Sequence, residues 1–188
     1  ILRNFGLPIV TSTLIRNKDE LKSIFNEDNN NYVMKIVSPD IQHKTDVGGV
    51  KLNIGNIDNA IKSYEEIHLN IKNNAPNAVI DGVMISPMVK GGIECILGAK
   101  IDPVFGPIVM FGLGGIYAEV MKDIAFAEAP ISHKKAEKMI LSLKGKDLFY
   151  GARGQSSIDI EALKEIIINL SNFIAANSNQ IDQVEMNP

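Results

Sequence analysis

Apolar positions along this chain change rhythm between the two-residue period of strands and the 3.6-residue period of helices, and the changes lay out the elements. A short apolar start, residues 1–5, meets a turn bracketed by Gly6 and Pro8, and residues 9–15 then read as a strand. Asn17 predicts a helix cap, with Asp19 and Glu20 in the first turn and Leu21, Ile24 and Phe25 at helical spacing, and the polar tract 27–31 ends that helix. Residues 32–37 form an apolar strand carrying Lys35. It stops at Ser38-Pro39, because proline lacks an N–H and pushes the residue before it toward an extended conformation. Residues 50–54 read as the return strand. Asn56 then caps a helix to about Asn70 whose stripe is Ile57, Ala60, Ile61, Tyr64, Ile67 and Ile71, with His68 on its surface.

The pattern changes after the loop at 73–76. Residues 79–88 are almost continuously apolar, interrupted by Asp81-Gly82 and stopped by Ser86-Pro87, which predicts a buried strand leading into a hinge. Gly91-Gly92 is a turn, and residues 93–99 are the next strand, with Glu94 its only charged residue. A loop at 102–107, a buried strand at 108–111 and a glycine-rich bend at 112–115 follow. Residues 118–129 alternate loosely as a strand with Glu119 and Asp123 as its acids. Ser132 caps a helix to Leu143, a polar loop at 145–154 contains Arg153, Ser157 opens a long helix to about Ala176, and residues 181–186 are the last strand. Alternating strands and helices in the first third and a strand-rich remainder with two late helices predict an α/β or α+β fold of two lobes, 1–88 and 89–188, meeting near 88–92. Cofactor sites favour such junctions.

Composition narrows the classes. With 188 residues, 45% hydrophobic and 22% charged, the chain is globular, can bury a real core and is not disordered. No apolar run approaches the roughly 18 residues of a membrane span, and the start lacks a signal-peptide pattern, so a cytosolic protein without a membrane partner is expected. The single cysteine, Cys95, excludes an internal disulfide and a cysteine metal cluster. A net charge of −3 without a basic stripe argues against nucleic acid as partner. The start on Ile1 and the stop at Met186-Asn187-Pro188 suggest a segment of something longer.

The candidate chemistry concentrates in one loop. After the lysine strand, His43, Lys44, Thr45 and Asp46 lead to Gly48-Gly49. Adjacent glycines let backbone N–H groups approach an anion, with Lys35 and Lys44 supplying charge on either side, the makings of a phosphate cradle. The same residues are compatible with a solvated edge lysine and a plain turn. Glu94, a carboxylate in an apolar strand, needs a partner, either a ligand or a lysine such as Lys100. Glu185 and Asn187 are two apart on the last strand, so both oxygens share a face while Val184 and Met186 take the other, which suits a hard cation such as Mg2+. His43 is a bystander or, beside two lysines, a nucleophile toward phosphorus.

His43-Lys-Thr-Asp-Val-Gly-Gly-Val50 after a lysine-bearing strand resembles the signature of the nucleotide-binding domain of ADP-forming acetyl-CoA synthetases, an ATP-grasp module related to the succinyl-CoA synthetase β subunit. The resemblance runs from Phe5-Gly6-Leu7-Pro8 to Glu185-Met186-Asn187-Pro188, essentially the whole chain. It implies an ATP-grasp fold with ATP or ADP and Mg2+ in a cleft between two lobes, and CoA-binding and ligase domains or an α subunit as partners. Lys35 would bridge phosphate oxygens, a charge-assisted bond of about 1.5–3 kcal/mol. Ser86, Pro87, Met88 and Val89 would present backbone groups to adenine with Met84 and Met88 as walls, although methionines at such spacing also suit a plain core. Glu94 would hold the ribose, Glu185 and Asn187 the metal with a further acidic ligand beyond Pro188, and His43, oriented by Asp46, would carry phosphate between an acyl phosphate and ADP. Two other functions compete. Gly112-Leu-Gly-Gly-Ile-Tyr-Ala118 could pass for a dinucleotide fingerprint, although the residues after it look extended where that motif needs a helix. A similar domain also occurs as a ligand-sensing module in protein lysine acetyltransferase fusions.

Overall fold

The computed structural model describes residues 1–25, 31–89, 91–115, 121–151 and 156–186; Glu119, Arg153 and Asn187 therefore lie outside the described residues. The chain divides into two compact units, one formed by Val10–Lys90 and the other by Ile1–Ile9 with Gly91–Pro188.

In the first unit, β1 (Thr13–Ile15), β2 (Tyr32–Val37), β3 (Val50–Ile54) and β4 (Gly82–Pro87) form an antiparallel sheet in the order β1-β4-β2-β3. The helix expected after Asn17 is a 3-10 turn at Lys18–Glu20 running into the short α1 (Leu21–Ile24), opened by a capping box in which Asn17 and Glu20 satisfy each other's backbone. The longer α2 (Ile57–Asn74) begins at Asn56, whose side chain accepts from the Asn59 N–H at 2.8 Å. Its Ala60, Tyr64, Ile67 and Ile71 share a core with Met34, Ile36, Val83 and Ile85 of the sheet. Register sets the other face: Lys35 lies opposite Val50 and Met84, and Val33 opposite Ser86. Since side chains alternate along a strand, that face is turned away from α2.

In the second unit, β5 (Cys95–Asp102), β6 (Gly106–Leu113), β7 (Ile124–Glu128) and β8 (Gln183–Met186) form another antiparallel sheet in the order β7-β6-β5-β8. Helices α3 (His133–Ser142) and α4 (Ile160–Ala176) bury Ala136, Met139, Ile140, Ile167, Leu170 and Ile174 with Leu97, Val109 and Phe111 of the strands. Ser132 caps α3 as expected, whereas α4 is capped by Asp159 rather than Ser157. Ser171 on α4 is fully buried; its hydroxyl donates to the Ile168 carbonyl at 2.7 Å and accepts from the Ile131 N–H at 3.0 Å, tying the helix to the connection before α3.

The lobe expected over 1–88 departs from this division at its start. Leu7 is 2% exposed in the second unit's core, Phe5 meets Phe173 edge-to-face at 5.1 Å, and the Asn169 amide donates to the Gly6 carbonyl at 3.4 Å. Apolar residues before Pro8 therefore complete the α4 side of the later unit. No helix among the described residues is long and apolar enough to cross a membrane.

Candidate functional site

Lys35 stands on central strand β2, exposed, on the sheet face opposite α2, with no ion pair among the described residues. Met84 and Ser86 follow it onto the same face by register, so three of the residues expected around a nucleotide share one surface. Pro87 closes β4 and Val89 is exposed, while the Met88 N–H donates to the Asn31 carbonyl at 2.7 Å. That N–H is consequently not presented to a base.

The histidine loop is held at both stems. On the outgoing side Ser38 Oγ accepts from the Asp40 N–H at 3.2 Å, Asp40 Oδ2 accepts from the Val79 N–H at 2.7 Å, and Ile41 is buried in the core. On the return side the Gly48 N–H donates to the Thr45 carbonyl at 3.0 Å, the Gly49 N–H to the Lys44 carbonyl at 2.7 Å, and the Gly49 carbonyl accepts from the Ile36 N–H at 2.8 Å. The expectation that the glycine N–H groups cradle an anion is therefore corrected: both are engaged inside the loop. The glycines are required for another reason. Gly48 has φ of 70°, in the left-handed region, and a Cβ on Gly49 would lie 2.5 Å from Ile36 Cγ2. His43 at the apex is exposed and Lys44 half-buried, and no hydrogen bond joins His43 to Asp46.

For Glu94 it is the placement in a strand that is corrected. The Gly91-Gly92 turn extends to it, pairing starts at Cys95 opposite Leu113, and Glu94 lies exposed before β5 with its carbonyl accepting from the Gly114 N–H at 2.7 Å. It does not pair with Lys100, whose ammonium sits 3.7 Å from Asp102. Its carboxylate lies instead beside Gly115, where a Cβ would come within 2.7 Å of Oε2.

Glu185 on β8 is exposed and opposite Gly98, which continues across the sheet to Met110 and Phe126. Val184 and Met186 take the other face and pack against the core. A groove of about 420 Å³ runs along the open face, with Gly98, Lys100, Ile108, Met110, Phe126 and Glu185 in its walls. Sequence reasoning passed over this apolar floor. Its signal was present: apolar residues at Ile108 and Met110 alternate with the core residues Val109 and Phe111, so the strand is apolar on both faces although helices cover only one.

For a divalent cation, Glu185 offers a hard oxygen donor without a protein partner among the described residues, which fits Mg2+. Among the described residues no three or more His, Cys, Asp or Glu side chains are grouped so that they could hold a metal ion. Sequence reasoning also placed Asp123 in a strand as an acid of no assigned role. It is buried, and its two carboxylate oxygens accept from the Lys144 and Gly145 N–H groups, each at 2.8 Å. The dinucleotide reading is overturned by topology, since Gly112 and Leu113 end β6 within an all-antiparallel sheet and the fingerprint requires parallel strands joined by a helix.

Comparison with known proteins extends over the full length of the chain. Residues 1–188 match the ATP-grasp domain family. The β subunit of ADP-forming acetate–CoA ligase I from Pyrococcus furiosus is 42% identical over 188 residues, covering all of this chain and 81% of that subunit. Dinucleotide-forming acetyl-coenzyme A synthetase 1 of Ca. Korarchaeum cryptofilum, solved in complex with coenzyme A, Ca-AMPCP and HgCl+, superposes with a TM-score of 0.92 at 38% identity, over 100% of this chain and 81% of that one. The same synthetase with coenzyme A and Mg-AMPPCP, its phosphohistidine segment pointing towards the nucleotide binding site, gives a TM-score of 0.81 at 35% identity over 100% and 80% of the two chains. Against longer ligases the chain spans 27% of their length. The chain belongs to the ATP-grasp domain family, and over its whole length it matches the β subunit of ADP-forming acetate–CoA ligases.

Proposed function

We propose that this chain is the nucleotide-binding part of a cytoplasmic ADP-forming acid–CoA ligase, active together with CoA-binding and ligase domains or an α subunit. The full-length match to a chain solved with a nucleotide analogue carries the reading. Support comes from the candidate residues, which occupy the sheet faces left open by the helices: Lys35, Met84 and Ser86 in one unit, Glu185 in the other.

In this reading Lys35 and Lys44 attract the phosphates, and the apolar surface around Met84 receives the base. Glu185, with Asn187, would hold Mg2+, which neutralises phosphate charge when bound. His43 carries the phosphoryl group. In the ATP-forming direction a terminal oxygen of ADP attacks the phosphorus on His43, the P–N bond breaks, and the imidazole leaves and recovers a proton from water.

Calorimetric titration with Mg-ADP and Mg-ATP, followed by an acid-labile phosphohistidine assay with the partner domains added, tests this. Binding should be seen with the chain alone and label only in the assembly. His43→Asn should abolish the label with nucleotide affinity nearly intact, whereas Lys35→Ala should weaken affinity by more than about tenfold, the size of one charge-assisted contact. Absence of nucleotide binding, or label persisting without His43, overturns the reading.

A further inference from the structure

Among the described residues His43 has no hydrogen-bonding partner of its own, so its position depends on the stems of its loop. The return stem meets α2 at two side chains one helical turn apart. The Asn70 amide donates to the Gly48 carbonyl at 3.1 Å, and the Asn74 amide donates to the Val47 carbonyl at 3.3 Å. Asn70 is half-buried, and it closes on Gly48 so tightly that a Cβ there would lie 2.6 Å from Nδ2. Helix α2 is itself fixed by Ile67 and Ile71, which flank Asn70 in sequence and are buried in the sheet's core. A rigid path thus runs from the core through α2 and Asn70 to the limb that returns from His43.

We infer that Asn70, assisted by Asn74, is a positioning residue for phosphoryl transfer at His43, an inference that rests on the carrier role proposed above. The chemistry gives the reason. In-line attack needs the reacting atoms at about 3–3.5 Å and aligned, and a displacement of about 1 Å costs roughly a hundredfold in rate. A histidine without a partner of its own meets that demand only when its loop is immobilised. Asn70 supplies an N–H to a carbonyl that the loop's internal turns leave unused, since those turns employ the carbonyls of Lys44 and Thr45. Nucleotide binding depends less on this contact, because Lys35 sits on β2 and is carried by the sheet, and only Lys44 shares the loop with His43.

The test uses the chain assembled with its partner domains and measures single-turnover labelling of His43 by γ-labelled ATP, beside the dissociation constant for Mg-ADP and the melting temperature. Asn70→Asp keeps the shape and replaces the donating amide by an acceptor. It should slow labelling by about ten- to a hundredfold with a far smaller change in the dissociation constant. Asn74→Ala, which removes the longer bond, should have a smaller effect in the same direction. Where Asn70→Asp fails to fold, Asn70→Ser and Asn74→Ala carry the comparison. Labelling at the parental rate in the folded variants overturns the role of Asn70, as does a slowing matched by an equal loss of Mg-ADP affinity. Persistence of label in His43→Asn points instead to failure of the carrier assignment, so the two claims fall separately.

Discussion

A methyl group on Gly49 would lie 2.5 Å from Ile36 Cγ2 and 3.0 Å from the Lys44 carbonyl oxygen. Gly49→Ala is therefore expected to destabilise the protein by about 1–3 kcal/mol, the usual range for overpacking. The measurement is a lower urea midpoint at unchanged slope, and an unchanged midpoint would mean that the loop yields freely. Cys95 gives a pH-dependent expectation. Burial pushes its thiol from the ordinary 9.0 up to about 11. The folded chain holds that proton where the unfolded chain has lost it, so this contribution to stability falls as pH rises through the window from 9.0 to about 11. Alkylation by iodoacetamide at pH 8 should be about a hundredfold slower in the folded than in the unfolded protein, since the thiolate is the reactive form. Residue chemistry was only partly legible. Lys35 stood out as a lone cation in an apolar run, and the structure leaves it exposed on an open sheet face. Glu94 misled, because Ile93 and Cys95 on either side of it read as strand while the pairing that defines the strand begins one residue later. For Gly48-Gly49 the residue types indicated close approach, but not that a neighbouring side chain, rather than an anion, makes it.

Elements with two concordant signals were the readable ones. Helix α2 has both an Asn cap and a 3.6-residue stripe, and both are found in place. Asn56→Ala should cost about 1 kcal/mol, typical of an N-cap lost, and a thermal melt of the variant reads it directly. Where signals were duplicated, the boundary moved: Ser157 and Asp159 are both capping types two residues apart, and Asp159 accepts the Ala162 N–H at 2.9 Å. The strand expected over 9–15 shrinks to Thr13–Ile15, and Ile9 and Val10 are 38% and 45% exposed. β-Branched residues suit a strand but cannot supply a neighbour to pair with. Strand direction was not legible at all. Alternating helices and strands fit parallel and antiparallel sheets equally, and the hydrogen-bond ladders alone show both sheets to be antiparallel.

For the whole molecule, two separate cores stand behind two open sheet faces. A ligand that binds only the folded state raises stability by about 2.7 kcal/mol at a hundredfold excess over its dissociation constant. Mg-ADP should therefore raise the melting temperature of the parental chain and raise that of Lys35→Ala less at the same concentration. An equal rise in both would remove Lys35 from the ligand. The order of the units along the chain has its own consequence. Leu7 and Phe5 are synthesised before the unit Val10–Lys90, yet the helix α4 that receives them is made after the whole of that unit, roughly ten to thirty seconds later at ordinary synthesis rates. That nascent strap must wait with its apolar side chains uncovered while the inserted unit completes its own core.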